Sequence, residues 1–281
     1  MSPVIRIAHS PDADDAFMHY AAVQGKVPGR GLQFAEVLAD IESLNQAARQ
    51  GIYEVTAISI HAYAYVADRY ALLSSGASMG DGYGPVVIAL KPLTREELVG
   101  QRVATPGRWT SARLALQLWQ PQALCVDVPF DAVAAKVRSG EAVAGVLIHE
   151  GQLTYGQEGF YLVEDLGRWW QKETGLPLPL GGNAIRRDLP PELARKVAAV
   201  LADSVRWGLE HRQEALTSAL AFARGLDRQQ ADRFVGMYVN QFTLDYGPQG
   251  QEAIHRFLHE AYQRRLIPAL PPVEFVFPED L

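Results

Sequence analysis

The sequence predicts an α/β protein of two lobes, each with a mainly parallel sheet, around a central cleft. Three observations carry that expectation. Short apolar runs such as "VIRIAHS", "LQFAEVLA" and "VTAISI" alternate with longer stretches of helical periodicity, the pattern of strands joined by crossover helices. The chain has 281 residues, 48% hydrophobic and 21% charged, a soluble globular composition with room for one large domain or two smaller ones. The pattern also echoes itself. "RIAHSPDADDAF" and "RVATPGRWTSARL" both run from a strand through a polar loop into a helix. "ARQGIYEVTAISIH" and "VRSGEAVAGVLIH" both read Arg, any residue, Gly, an apolar strand and then His.

Taken in order, "VIRIAHS" is a first strand. Phe17, Tyr20, Ala21 and Gln24 then give the i, i+3, i+4 stripe of a helix face, which Asp12 or Asp14 is placed to cap. "LQFAEVLA" is a second strand, followed by Asp40 as N-cap of "IESLNQAARQG", with Gly51 as its stop. "VTAISI" is a third strand and leads into "HAYAYVADRY". The Gly- and Ser-rich "SSGASMGDGYGP" reads as a loop, and "VVIAL" as a strand ending at Lys91 and Pro92. "EELVGQRVATPGRWTSARLALQLW" restarts the strand–loop–helix order, and "FDAVAAKVRSGEAVAGVLIHE" adds a helix and a strand. "LPLPLGGNAIRRDLP" is an extended connector entering a strand. From Pro190 the chain is mostly helical, with a proline-rich extended tail. Crossings near 90–93 and 180–186 divide it into a larger lobe, 1–90 plus 183–281, and a smaller one, 91–182. Four loops then point at the cleft: 10–15, 57–61, 105–112 and 149–155, because ligands of α/β sheets sit beyond the carboxyl ends of strands.

Charge and composition exclude several classes. Net charge is −6 and the pI is near 5.7, and no long basic run or basic stripe with aromatics suits a nucleic acid. No apolar run reaches the roughly 18 residues of a membrane span. The start, "MSPVIRIAHSPDADD", lacks the pattern of a signal peptide, so the expectation is a cytoplasmic protein. The single cysteine, Cys125, permits no intrachain disulfide and reads as a small core residue.

The residue with most chemical promise is His149. It closes the apolar run Val143–Ile148, and an imidazole at the carboxyl end of a strand meets whatever enters the cleft and exchanges protons near neutral pH. The plainer alternative is a histidine that ends a strand and bonds a carbonyl. "TPGRWTS" lies between a strand and a helix, where unpaired N–H groups attract anions. Thr110 and Ser111 add hydroxyls and Arg108 a charge, which suits a carboxylate or phosphate; simple capping is the alternative. The glycine spacing and lysine of a nucleotide P-loop are absent. Ser59 closes its strand facing either a ligand or a neighbouring backbone. Ser10, Asp12, Asp14 and Asp15 lack calcium-loop spacing and read as capping groups. His255 and His259 are spaced i, i+4 but lack an evident third metal ligand. Trp169, Trp170, Tyr63 and Tyr65 read as packing. From the residues alone, an enzyme and a solute-binding protein both stay open.

"SPDADDAF", "ADIESLN", "VTAISIHAYAYV", "GPVVIA", "VATPGRWTSA", "AGVLIHEGQLTY", "LGRWWQKETGLPLPLGGNAIRRDL" and "YVNQFTLDYG" occur in that order. Together, across nearly the whole chain, they resemble the 1,4-dihydroxy-6-naphthoate synthase family of the futalosine route to menaquinone. The resemblance implies the fold of type II periplasmic binding proteins. It implies a carbon–carbon lyase that splits cyclic dehypoxanthinylfutalosine into 1,4-dihydroxy-6-naphthoate and dihydroxyacetone, with no known cofactor. It places His149 as general base, and Ala57, Ile58, Ser59, Thr110, Ser111 and Ala112 at the substrate. Some relatives have Lys where Ala57 stands and His where Trp109 stands, so no charged contact from position 57 carries over; Arg108 or backbone amides are expected instead. The rivals are chorismate dehydratase of the same route, which shares the fold but which "IHEGQLTY" argues against, and a solute-binding protein for a small acid.

Overall fold

The computed structural model describes residues 3–223 and 225–279. Two sheets organise them. The first unit runs β1 (Val4–His9), α1 (Ala13–Val23), β2 (Gln33–Leu38), α2 (Ile41–Gln50), β3 (Val55–Ser59), α3 (Ile60–Tyr63), β4 (Tyr70–Leu73) and β5 (Ser78–Gly80). The second runs β6 (Val86–Ala89), β7 (Arg102–Thr105), α4 (Ser111–Trp119), β8 (Leu124–Asp127), α5 (Val133–Arg138), β9 (Ala144–Leu147), α6 (Gly151–Thr154), β10 (Tyr161–Asp165) and α7 (Leu166–Thr174). The chain then returns to the first sheet through β11 (Leu178–Arg186) and continues as α8 (Pro191–Glu210), α9 (Arg212–Ala219), α10 (Arg228–Tyr238), α11 (Gln241–Leu244), α12 (Gly247–Gln263) and β12 (Phe275–Val276). Sheet order is β12-β4-β11-β3-β1-β2, with β5 on β11, and β10-β6-β9-β7-β8.

The two-lobed α/β architecture is present, with both sheets mixed. β1 pairs parallel with β2 and β3, and β7 with β8 and β9. The antiparallel pairs come from β6, β10 and β11. β6 and β11 also move the lobe boundaries. The sequence places 86–90 in the larger lobe, yet Val86–Ala89 pair with β9 and β10 in the second sheet. It places 178–182 in the smaller lobe, yet Leu178–Gly182 pair with β3 and β5 in the first. The crossings are therefore 81–85 and 175–177. An apolar strand bonded on both edges follows its partners, and sequence shows the strand without them. The same pairing turns part of the expected loop 74–85 into β5.

The internal echo is structural. β2-β1-β3-β11 and β8-β7-β9-β6 share order and direction. β1–α1–β2–α2–β3 therefore corresponds to β7–α4–β8–α5–β9, and the loops after β1, β3, β7 and β9 meet between the sheets. α2 shows how local chemistry sets these units. The Asp40 side chain accepts from Ser43 N (3.0 Å) and Gly51 ends the helix with φ 69°. One buried cluster joins Ile58, Ile60 and Tyr63 of the first unit to Leu114, Leu116 and Trp119 of α4, so the lobes share a core on that side of the cleft.

Candidate active site

The cleft between the lobes encloses about 730 Å³ of empty space counted out to its open mouth. Ala57, Ile58, Ser59, Thr110, Ser111, Ala112 and His149 all lie on its wall. Residues up to 92 positions apart in sequence are brought together because each lies at or just beyond the carboxyl end of a strand in one of the corresponding units.

His149 stands beyond β9 with φ 61°, a left-handed conformation uncommon outside glycine. That turn swings the ring off the strand axis and into the cleft. Nδ1 lies 2.8 Å from Asp12 Oδ2, with the side chains 13% and 3% exposed. A carboxylate only accepts, so Nδ1 carries the proton there. Nε2 is buried with no protein hydrogen-bond partner, on a residue that lines the cleft. The Phe130 ring meets the imidazole edge-on at 4.6 Å. Behind the turn, the Gln152 amide fits with its nitrogen donating to Gly84 O (2.7 Å) and its oxygen accepting from His149 N (3.2 Å). The Tyr238 hydroxyl is 2.5 Å from the same amide.

The opposite wall is the start of α4. Thr110 is its N-cap: Oγ1 accepts from Arg113 N (3.2 Å) and donates to Gly107 O (3.0 Å). Its hydroxyl proton is therefore committed to the turn, and the hydroxyl caps the helix. What remains for an anion are the Ser111 and Ala112 N–H groups, which no carbonyl of their own helix reaches, and the Ser111 hydroxyl. Ser111 Oγ accepts from His61 N (3.2 Å) and keeps its proton to donate. Ser59 is arranged alike: Asn45 Nδ2 donates to its Oγ (3.0 Å) and its own N–H bonds Asn45 Oδ1 (2.9 Å). Arg108, one of the two alternatives expected to meet a ligand here, does not line the cleft. That side chain is exposed and lies over Trp109, 5.2 Å from the ring centroid, away from the cleft wall. Trp109 N donates to Glu42 Oε2 (2.9 Å).

The third wall is acidic. Asp15 accepts from Ser10 N (2.9 Å) and Ser10 Oγ (2.6 Å). Burial, reinforced by Asp15, Asp12 and Glu150, holds the Asp14 carboxyl well above the usual range. Behind them His9 is fully buried, with Nε2 3.0 Å from Glu36. Burial opposes its charge, but Glu36 and Asp15 outweigh that and raise its pKa. His19, 4.7 Å from it ring to ring, is driven well below its ordinary value by burial and by His9. Sequence reading gave the Asp12–Asp15 loop a capping role. α1 has no side-chain cap from Asp12, and that carboxylate faces His149 instead. Asn183, Tyr238 and Gln152 also line the cleft. Gln152 lies in the loop 149–155 expected at the cleft, without having been singled out; Asn183 and Tyr238 went unnoticed because β11 and α10 arrive from far along the chain, and the only signal was polar residues inside apolar segments.

The remaining candidates are placed as follows. His255 and His259 are exposed on α12, with His259 3.3 Å from Gln263. Among the described residues no group of three or more His, Cys, Asp or Glu gathers to hold a metal. Trp170 is buried, donating to Pro177 O (3.2 Å), and Trp169 packs beside it. Tyr63 and Tyr65 pack, and Cys125 lies in β8 against the core. No helix among the described residues is long and apolar enough to cross a membrane.

A family profile for menaquinone biosynthesis matches residues 5–263. The chain is similar to a protein of Thermus thermophilus named 1,4-dihydroxy-6-naphthoate synthase, 41% identical over 97% of this chain and 99% of that one. It is also similar to one of the same name from Streptomyces coelicolor, 37% identical over 98% of each. Among solved structures, protein AF1704 of Archaeoglobus fulgidus superposes with a TM-score of 0.90 and 46% identity, covering 94% of this chain and 98% of that one. The alkanesulfonate-binding protein SsuA of Xanthomonas axonopodis, bound to MOPS, gives a TM-score of 0.72 at 12% identity over 95% and 96%, a likeness of fold alone.

Proposed function

Since the chain belongs to the menaquinone-biosynthesis family and matches its 1,4-dihydroxy-6-naphthoate synthases over nearly their full length, we propose that it is a cytoplasmic lyase with His149 as general base. The reaction splits cyclic dehypoxanthinylfutalosine into 1,4-dihydroxy-6-naphthoate and dihydroxyacetone. The observation that carries the base assignment is the buried, unpartnered Nε2 of His149, a residue of the cleft wall, with Nδ1 engaged by Asp12.

The substrate carries an aromatic carboxylate. It is received by the Ser111 and Ala112 N–H groups and the Ser111 hydroxyl, where the helix dipole favours negative charge. Apolar Ile58, Ala57 and Leu180 on the wall suit the ring system. His149 Nε2 takes a proton, the carbon–carbon bond breaks, and its electron pair leaves with the three-carbon fragment, which is reprotonated. The remaining ring becomes aromatic, which supplies much of the driving force. A positioned base contributes about 10²–10⁴-fold to such a step, and the surrounding walls keep water from the breaking bond.

The test is incubation of purified protein with the cyclic substrate and, separately, with chorismate. Formation of 1,4-dihydroxy-6-naphthoate from the first alone is expected. His149→Ala should lose turnover by about 10²-fold or more while retaining fold and most binding. Recovery of the cyclic compound unchanged after binding would make the protein a solute binder. Dehydration of chorismate would make it the sister enzyme, and full activity of the variant would remove His149 from the mechanism.

A further inference from the structure

The two lobes exchange a matched pair of contacts. His61 follows β3 and His149 follows β9, corresponding places in the repeated unit. Each ring reaches the N-cap residue of the other lobe's first helix. His61 Nδ1 lies 3.2 Å from Thr110 O, at the cap of α4. His149 Nδ1 lies 2.8 Å from Asp12 Oδ2, at the cap of α1. The two contacts differ in their surroundings. His61 is 2% exposed, beside the core the lobes share, between Tyr65 and Trp109. His149 borders the open cleft.

We propose, building on the base assignment above, that Asp12 is a positioning residue for His149 presented from the facing lobe. The shared core on the His61 side keeps the lobes joined there. Meeting of the lobes on the other side brings Asp12 to Nδ1, fixes the proton on that nitrogen and leaves Nε2 bare towards the substrate. Base and anion-binding helix start both belong to the second lobe, so the first lobe completes the base rather than supplying it. Two features fit this role. Asp12 occupies an N-cap position yet makes no side-chain cap bond, although aspartate is among the best capping residues. His149 is held in a left-handed turn by Gln152, which leaves the ring's rotation to be set by its Nδ1 partner. An imidazole with the wrong nitrogen protonated offers the substrate an N–H in place of a lone pair.

The experiment combines kinetics and nitrogen NMR on the full chain, comparing wild type with Asp12→Asn and Asp12→Glu. Asp12→Asn is expected to lower kcat about 10²-fold with KM within about threefold, and Asp12→Glu to recover part of the loss. ¹⁵N-histidine spectra with 1,4-dihydroxy-6-naphthoate bound, assigned through His149→Ala, should show the Nδ1–H tautomer in wild type and its loss in Asp12→Asn. A wild-type His149 protonated on Nε2, or an Asp12→Asn enzyme with wild-type kcat, overturns the proposal. The spectra read the ring whatever the substrate is. A protein inert towards the cyclic compound but showing the Asp12-dependent tautomer would refute the reaction and leave the positioning intact.

Discussion

At the scale of single residues, Thr110 and Ser111 separate two roles that the sequence presents as one. The Thr110 hydroxyl is bonded both ways within its turn, so Thr110→Val should act on stability. Loss of a cap costs about 1 kcal/mol, or about 2–3 °C in Tm for a chain of this size, and Thr110→Ser should restore it. Ser111→Ala should raise KM several-fold, since its hydroxyl proton has no partner in the turn, and also lower Tm by a few degrees, because the buried His61 N–H loses its acceptor. Thermal melts and steady-state kinetics on the three variants check both. His61 makes a second prediction. Burial lowers its pKa from 6.5 to about 4, so the native protein refuses a proton that the unfolded chain accepts below pH 6.5. Stability from this group is whole above that pH and falls on acidification towards pH 4, by on the order of 3 kcal/mol. His61→Gln should flatten that part of the stability curve; an unchanged acid slope would show that the ring is not the cause. His149 was legible in sequence because an apolar strand ended on it. Its partner Asp12 was not, because 137 positions separate them and capping explained an aspartate before a helix equally well.

At the scale of elements, the α1, α2 and α4 starts show what local chemistry decides. Asp40 and Gly51 bound α2 as their types require, and that much is readable from the chain. The loop 105–110 is set by a long-range contact. Gly107 has φ 115°, and a Cβ there would stand 2.6 Å from Glu42 Oε2, while the same carboxylate holds Trp109 N. Gly107→Ala should therefore displace the loop that leads into α4, raising KM about tenfold or more while the Nε2 chemistry survives at saturation. Unaltered KM would show that the loop does not shape the anion site. β6 and β11 mark the limit of sequence reading among strands. Their apolar composition announces buried strands, but only the pairing of Val86–Ala89 with β9 and of Gly181–Ile185 with β3 assigns them to sheets. For the same reason the lobe limits moved by several residues while the count of lobes held.

At the scale of the molecule, a repeated unit has become asymmetric in use. One helix start, at Thr110–Ala112, offers N–H and hydroxyl donors; its counterpart, at Asp12–Asp14, offers carboxylates. One post-strand histidine is sealed against the shared core, and the other borders the cleft. The two-lobed scheme and the cleft loops were legible because strand–loop–helix order recurs in the sequence. The division of labour was not, because it depends on which wall each loop faces once the lobes meet. The central claim is that an organic acid is held at the start of α4 with its reacting ring under Nε2 of His149. A crystal structure with 1,4-dihydroxy-6-naphthoate tests it most directly. The account predicts the carboxylate on the Ser111 and Ala112 N–H groups and the ring within about 3.5 Å of Nε2. A ligand seated with its carboxylate elsewhere, or with His149 out of reach of the ring, would contradict it.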